Sequence, residues 1–299
     1  MVSAWANRLV LKFATVSTKF PDTIALDESH LESAFALSAE VNWNQTIDDW
    51  RTMLEAGNAI GMTAPGGRLV ASALTLPYGD AFGWISMVLV TENWRKRGLA
   101  TRLLGRCIKV LEENALTPVL DATPEGEFVY RSLGFVPHYG IQRWEMDDAS
   151  AIDIDPDTKL LSRPLGMSEM DEIKAYDQGV FGGDRGTVLS ALWARSAGHA
   201  RIGHQGRGYL LSRDGRVAHQ IGPLCADDPA VAIDMLDWTL TGLEGPVFID
   251  ACDHQRSFID RLRALGFKSQ RSFLRMAKDR KKPFGDPERL YALAGPELG

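Results

Sequence analysis

At 299 residues and 45% hydrophobic content, the chain is long enough for about two domains of roughly 150 residues, each with its own core, which excludes a peptide-sized or disordered protein. Lys+Arg 33 against Asp+Glu 39 gives a formal net charge of −6, so there is no global basic field to hold nucleic acid or an anionic membrane, and any anion site must be local. Cys107, Cys225 and Cys252 stand in unrelated spacings without a Cys-x-x-Cys pair, which argues against a disulfide framework or a zinc cage and for a reducing cytoplasm.

The opening Met1 to Phe20 carries no acid and no continuous apolar stretch, and reads as a mature, soluble start without a targeting or membrane segment. Leu26 to Ala39 places Leu31, Ala34, Phe35 and Ser38 at helical spacing behind Asp27, a cap, and a second helix starts at Thr46 and runs to Leu54. Trp43, Asn44 and Gln45 form the loop between them. Two β-rich runs, Asn58 to Thr63 and Arg68 to Leu76, flank the turn Ala64-Pro65-Gly66-Gly67, and Gly83 to Val90 is apolar enough to sit centrally. Leu99, Leu103, Leu104, Cys107, Ile108 and Leu111 mark one face of a helix that begins near Gly98. A strand from Pro118 to Ala122, a helix from Glu125 to Leu133 stopped by Gly134, and a strand ending at Met146 complete a mixed α/β sheet with helices on both faces.

Asp147 to Thr158, with five aspartates and few apolar residues, reads as a linker, so the expected domains are 1–150 and 158–299. The order then partly recurs: helices Met167 to Phe181 and Gly186 to Ala197, strands around Ala200, Tyr209 and Val217, a helix from Val231 to Thr241, strand Val247 to Ala251, helix Gln255 to Leu265 and strand Ser269 to Ala277. Leu120-Asp121-Ala122-Thr123 ahead of Arg131-Ser132-Leu133-Gly134-Phe135 is echoed by Ile249-Asp250-Ala251-Cys252 ahead of Arg263-Ala264-Leu265-Gly266-Phe267, which points to two diverged copies of one fold.

The segment Val90 to Thr101 lies between a buried strand and the start of an amphipathic helix. Arg95, Lys96 and Arg97 are followed by the small residues Gly98 and Ala100, which let a ligand approach the backbone. Free N–H groups of a first helical turn, the helix dipole and local cations together suit a pyrophosphate. The string matches neither G-x-x-x-x-G-K-[ST] nor the three-glycine dinucleotide pattern.

Here the chain resembles the GNAT superfamily of N-acetyltransferases, whose signature [QR]-x-x-G-x-[GA] after a strand is matched by Arg95-x-x-Gly98-x-Ala100. Val129-Tyr130-Arg131-Ser132-Leu133-Gly134-Phe135 is similar to the family's Tyr-x-x-Leu-Gly-Phe turn. Residues 5 to 147 correspond to one GNAT module. The closing Tyr291 to Gly299, with Trp43-Asn44-Gln45-Thr46, Phe181-Gly182 and Asp184-Arg185, is similar to a tandem-GNAT group whose second module is degenerate. The resemblance implies two acyl-CoA N-acyltransferase-like domains, with acetyl-CoA as donor; the six scattered histidines, without a His-x-x-x-His or a nearby Cys pair, point to no metal. It places Val88, Leu89 and Val90 along the pantetheine arm, Arg95, Lys96, Arg97, Gly98, Leu99, Ala100 and Thr101 around the pyrophosphate, and Thr123 where many members carry Asn. Tyr130 falls where the family places the acid that protonates the departing thiolate.

A base for the attacking amine is harder to find, since Trp84 to Val90 contains no acid. Asp121 is the first candidate, with helix capping as its alternative role; Glu127, Asp48 and Asp49 follow. Trp43, Asn44, Gln45, Asp49 and Trp50 form the expected acceptor lip, or else the tryptophans anchor helices to the core. In the second copy Cys225-Ala226-Asp227-Asp228-Pro229-Ala230 puts carboxylates where the first has cations, and Leu262 stands in place of Tyr130, so donor binding is expected only once. The expected function is acetyl transfer to the primary amine of a small molecule, by direct attack in a ternary complex, in a cytoplasmic monomer or homodimer. The alternative is a non-catalytic acyl-CoA-binding sensor or interaction module.

Overall fold

Asp22–Leu26 is an edge strand, β1, paired antiparallel to β2 (Asn58–Thr63), and it takes in Leu26, the expected start of the first helix. The computed structural model describes residues 21–152, 160–196 and 198–299. The opening twenty residues, most of the expected linker and Ala197 lie outside that set. Thr23 and Ile24 are β-branched and meet Met62 and Gly61 across the ladder, and Asp27 then caps a single 3-10 turn before α1 (Leu31–Glu40). At α2 (Ile47–Ala56) Thr46 and Asp49 form a reciprocal capping box, Thr46 Oγ1 accepting from Asp49 N at 3.2 Å and Asp49 Oδ2 accepting from Thr46 N at 2.8 Å.

The first half continues through β3 (Leu69–Tyr78), β4 (Phe82–Val90), α3 (Leu99–Glu113), β5 (Thr117–Ala122), α4 (Pro124–Ser132) and β6 (Phe135–Met146). The second runs through β7 (Ser162–Pro164), α5 (Met170–Phe181), α6 (Gly186–Arg195), β8 (Arg201–Gly203), β9 (Gly208–Arg213), β10 (His219–Ala226), α7 (Pro229–Leu240), β11 (Val247–Cys252), α8 (Arg256–Ala264), β12 (Lys268–Lys278) and β13 (Leu290–Ala292). Val217, expected in a strand, lies in the connection between β9 and β10.

All these strands join one sheet in the order β1-β2-β3-β4-β5-β12-β6-β11-β13-β10-β9-β8-β7. Along β3, Ala71 and Ala73 face Leu99 and Leu103 of α3, while Leu74 and Leu76 face Trp50 and Met53 of α2 on the other side, the period-2 alternation of a strand buried on both faces. The core under α1 and α2 is continuous with the one under α5 and α6, through residues such as Trp50, Phe181, Leu189 and Tyr209.

The centre of the sheet is shared. β12 lies between β5 and β6 of the first half, and β6 lies between β12 and β11 of the second. The matched registers put Arg275 opposite Asp121 and Arg143 opposite Asp250. Each pair is a buried two-pronged ion pair: Arg275 Nε and Nη2 donate to Asp121 at 2.9 and 3.0 Å, and Arg143 Nε and Nη2 both donate to Asp250 at 2.7 Å. The echo of Asp121 in Asp250 is thus a pseudo-twofold relation, in which the arginine always comes from the other half.

Two clefts arise where parallel strands diverge. β4 and β5 pair only at Phe82–Trp84 with Thr117–Val119, and β10 and β11 only at His219–Ile221 with Val247–Ile249. Beyond those points the first cleft stays open. The second is closed by β13, whose Ala292 pairs with Leu224 on one side and Ala251 on the other.

Candidate active site

The donor side is built at the end of β4. Ser72 pairs with Leu89 and Leu74 with Ser86, so Ala73 faces both Met87 and Val88, and Met87 takes φ +51. This is a β-bulge, which interrupts the ladder and re-aims the backbone at an opening in the sheet. The Ser72 hydroxyl holds the turned strand by donating to the Met87 carbonyl at 2.9 Å. Nothing in the local pattern marks the bulge, because Met and Val are ordinary strand residues.

A groove of about 430 Å³ runs onward past Val88, Leu89, Val90, Arg95, Lys96, Gly98, Leu99, Ala100 and Thr101, with Val41 and Trp94 on its walls. Gly98 is the N-cap residue of α3, at φ +79, and no side chain caps the helix there. The first-turn N–H groups and the positive end of the dipole therefore face the groove without an internal acceptor, which fits a phosphate-bearing donor. Arg95 and Lys96 line the groove. Arg97 does not: it donates to the Asn93 carbonyl at 2.8 Å and lies over the Trp94 ring at 4.7 Å.

The corresponding point of the second half differs in each respect. Asp228 caps α7, accepting from Ala230 N at 3.0 Å and Val231 N at 3.1 Å, so the N–H groups an anion would need are already taken. Asp227 accepts from Tyr176 Oη and Arg289. The bulge of β10 contains Pro223, which has no N–H. Leu262 is fully buried in the core.

The groove meets a second cleft, of about 190 Å³, at Val88. Trp43, Gln45, Ser86, Met87, Asp121, Thr123 and Tyr130 line it from the first half, and Arg271, Phe273, Pro296 and Glu297 from the second. Tyr130 packs edge-on to Phe135 and covers Gly126, where a Cβ would come within 2.7 Å of the ring. Burial raises its phenol pKa. Thr123 lines the cleft and also caps α4, its hydroxyl accepting from Gly126 N at 3.3 Å.

Several expected site residues belong elsewhere. Asn44 is buried and staples the halves together, donating to Ala218 O at 3.0 Å and accepting from Val217 N and Ala218 N. Asp49, besides its capping bond, is 1% exposed and holds Arg195 and Arg213 at 2.7 and 2.8 Å, so it cannot meet an acceptor. Burial pushes its carboxyl up, and the two arginines more than reverse that, leaving it below the usual range. Trp50 is fully buried and donates to Ser38 Oγ, so it is a core anchor. Asp121 reaches the cleft wall, yet both its oxygens sit in the Arg275 fork, which removes it from the role of base. Glu127 is tied to Arg131 and Asp48 to Arg51 on exposed helix faces.

Glu297 is the carboxylate that sequence reasoning missed. Trp84 Nε1 donates to Pro296 O at 3.0 Å, Tyr78 Oη to Leu298 O at 2.7 Å, and Arg185 to Gly299 O, which pins the segment after β13 into the divergence of β4 and β5. Arg213 holds Glu297 Oε1, and burial raises the Glu297 carboxyl against that pull. The available signal was a single acid amid Leu293-Ala294-Gly295-Pro296 and Leu298-Gly299, an apolar and glycine-rich run that a solvent-exposed carboxylate does not need.

Among the described residues, no group of three or more His, Cys, Asp or Glu side chains is placed to hold a metal ion, and no helix is long and apolar enough to cross a membrane.

Comparison with known proteins places this geometry. The model of the acetyltransferase (GNAT) family matches residues 26–135, and a second acetyltransferase (GNAT) domain model matches residues 173–292. The uncharacterized N-acetyltransferase YitH of Bacillus subtilis is 26% identical over 285 residues, covering 93% of this chain and 98% of that protein. The holothin acyltransferase of a Pseudoalteromonas species is 26% identical over 244 residues, 77% of this chain and 78% of that protein. Among solved structures, a Pyrococcus horikoshii protein assigned as an acetyltransferase superposes with TM-score 0.77 at 20% identity, covering 94% of this chain and 97% of that one. A tandem GNAT protein from the clavulanic acid biosynthesis pathway superposes with TM-score 0.58 at 14% identity, covering 86% and 97%. Enzymes of this fold use acyl-CoA as donor, as the groove at Gly98 allows. The chain belongs to the GNAT acetyltransferase family and carries the GNAT domain twice.

Proposed function

We propose that the protein transfers an acetyl group from acetyl-CoA to the primary amine of a small molecule, in a single active site built on the first GNAT domain. The observation that carries this reading is the junction at Val88, where the phosphate-suited groove opens into a cleft holding both a half-buried phenol and a buried carboxylate.

Each residue then has a task set by its chemistry. Arg95, Lys96 and the first turn of α3 hold the pyrophosphate. The bulged backbone at Met87 and Val88 positions the thioester carbonyl and offers N–H groups to its oxygen as negative charge develops there. Glu297 takes the proton that the acceptor ammonium must lose before it can attack, and Tyr130 gives a proton to the thiolate as it leaves. Asp121 and Arg275 act as a pair that fixes the wall of the cleft. Trp43 and Gln45 face the acceptor. The cleft volume, about 190 Å³ and half-enclosed by both domains, favours a small molecule over a protein tail. A non-catalytic sensor would have no use for a carboxylate and a phenol converging on one cleft, so the enzyme reading is preferred.

Thiol release with acetyl-CoA over an amine panel tests the activity, with turnover on at least one amine expected. CoA binding without turnover on any amine would favour the sensor. In the same assay Tyr130→Phe is expected to lower kcat by about tenfold or more while donor affinity stays unchanged, since only the hydroxyl is lost. Wild-type turnover in that variant would remove Tyr130 from the reaction.

Titration calorimetry with CoA is expected to give one site per chain. Ala100→Glu should abolish that binding: it sets a carboxylate against the phosphates on a regular helical position, avoiding the strain that any side chain at Gly98 would add. Two sites per chain, or binding that survives Ala100→Glu, would show that the second domain binds donor despite β13 and Asp228.

A further inference from the structure

Buried polar atoms without a hydrogen-bond partner are few in folded proteins, and each calls for a reason. Among the described residues there are eight such side-chain atoms, and three of them, Gln45 Oε1, Ser86 Oγ and Arg271 Nε, belong to residues that line the same cleft. Gln45 is 5% exposed and Ser86 8%, so neither reaches bulk solvent.

Arg271 is the most telling of the three. Arg143, Arg185, Arg213 and Arg275 are buried and each holds a carboxylate. Arg271 has no ion pair among the described residues; its guanidinium lies over the Phe273 ring at 4.9 Å, and the backbone beside it is fixed by Gln142 Nε2 donating to Arg271 O at 2.6 Å. Burial and the nearby charge of Arg143 lower its pKa, and the more weakly acting Asp250 and Glu297, neither of which pairs with it, do not offset them. A positioned, partly desolvated guanidinium with a free edge is a receptor for a planar anion.

The cleft therefore presents two opposite demands. Glu297, Gln45 Oε1 and Ser86 Oγ offer acceptors to an ammonium, and Arg271 offers donors and positive charge to a carboxylate. A plain amine meets the first demand and leaves Arg271 unpaired. We infer that the acceptor is an amino-acid-like molecule, with its amine beside Glu297, Gln45 and Ser86 and its carboxylate on Arg271. This rests on the transferase reading above and narrows its substrate class. The bond changes are those of that reaction: the ammonium gives one proton to Glu297, the neutral nitrogen bonds the acyl carbon, the C–S bond breaks with its electron pair on sulfur, and the sulfur takes a proton from Tyr130; the second proton lost by the nitrogen resets Tyr130, and Glu297 releases its proton to solvent.

Matched pairs that differ only by the carboxylate decide the point: L-phenylalanine with phenethylamine, L-leucine with isoamylamine, and γ-aminobutyrate with propylamine. With acetyl-CoA, kcat/KM is expected to favour the carboxylated member of a pair by about tenfold or more, the range of a charge-assisted hydrogen bond. Arg271→Gln should erase that preference, by raising KM for the carboxylated member more than for the plain amine. Arg271→Met should hold or raise Tm, because it removes a half-buried charge without an ion pair, whereas a purely structural arginine would lower it. Equal use of both members, preference for the plain amine, or a preference that survives Arg271→Gln would overturn the inference. If CoA binds and no compound is acetylated, the transferase reading fails by itself, and calorimetry on the CoA-loaded protein still decides this site. Binding of a carboxylated member that is lost in Arg271→Gln supports it, and binding of none of them overturns it.

Discussion

Glu297→Gln is expected to lower kcat by about 10²-fold or more, within the range that positioned acid–base groups contribute, with CoA affinity unchanged. The substitution keeps the shape and an acceptor oxygen for Arg213, so the segment Leu290–Gly299 should stay in place, and Arg213 retains its bond to Asp49. The pH profile carries a sharper signature. Burial raises the Glu297 carboxyl, so in wild type the base is lost by protonation as pH falls through that raised value, and kcat falls with it. The Gln variant should lose this acidic limb while remaining slow throughout. The sign for stability is the opposite: a group whose folded-state pKa is raised favours the folded state when protonated, and that contribution is lost as pH rises through the raised value. Neutralising Glu297 is therefore not expected to lower Tm at neutral pH. Burial raises the Asp121 carboxyl too, but Asp121→Asn provides the contrast through its partner: among the described residues Arg275 has no second carboxylate, as Arg213 has in Asp49, and losing its counter-charge should cost about 3–5 kcal/mol of stability. Unchanged turnover and an intact acidic limb in folded Glu297→Gln would assign the base elsewhere.

The parts of this site that were legible in the sequence are those fixed by local chemistry. The run Arg95 to Ala100 needs small residues and cations at a helix start whatever the surroundings, and the repeat of Leu120-Asp121-Ala122 in Ile249-Asp250-Ala251 survives because each aspartate must meet an arginine. The rest depended on contacts between residues far apart in the chain. Asn44 and Asp49 have the chemistry of an acceptor site, and only the arrival of Ala218 and Arg213 shows that their hydrogen bonds are spent on joining the halves. Glu297 and Arg271 lie more than 120 positions after Tyr130, in a half whose own donor site is closed, and nothing in their local pattern marks them.

The second domain acquires its purpose from the same contacts. Its cleft between β10 and β11 is filled by β13, and the chain that leaves β13 delivers Glu297 to the cleft of the first domain. Closing one site and completing the other are done by one ten-residue stretch, Leu290 to Gly299. Gly222 makes the first of these possible: at φ +137 it lies under the Leu293 carbonyl, where a Cβ would stand 1.8 Å from that oxygen.

Separating the halves should therefore abolish folding, and not merely activity. In a fragment of residues 1–152, β5 would lose β12, its neighbour on one side, and β6 would lose both of its neighbours, β12 and β11. Asp121 would remain in the interior without Arg275, and Arg143 without Asp250, each an uncompensated buried charge costing about 3–5 kcal/mol against a whole-domain stability of about 5–15 kcal/mol. The shared core beneath α2 and α6 would be exposed as well. The fragment alone is expected to show no cooperative thermal transition and no CoA binding, and co-expression with residues 153–299 should restore both. A self-paired dimer would fit the same logic, because the matched registers allow β6 of each copy to fill the gap beside β5 of the other, with Arg143 meeting its partner's aspartate. A monomeric fragment that melts sharply and binds CoA would mean that β6 can move in beside its own β5, and that the sharing of central strands is a consequence of the tandem arrangement with no part in stabilising it.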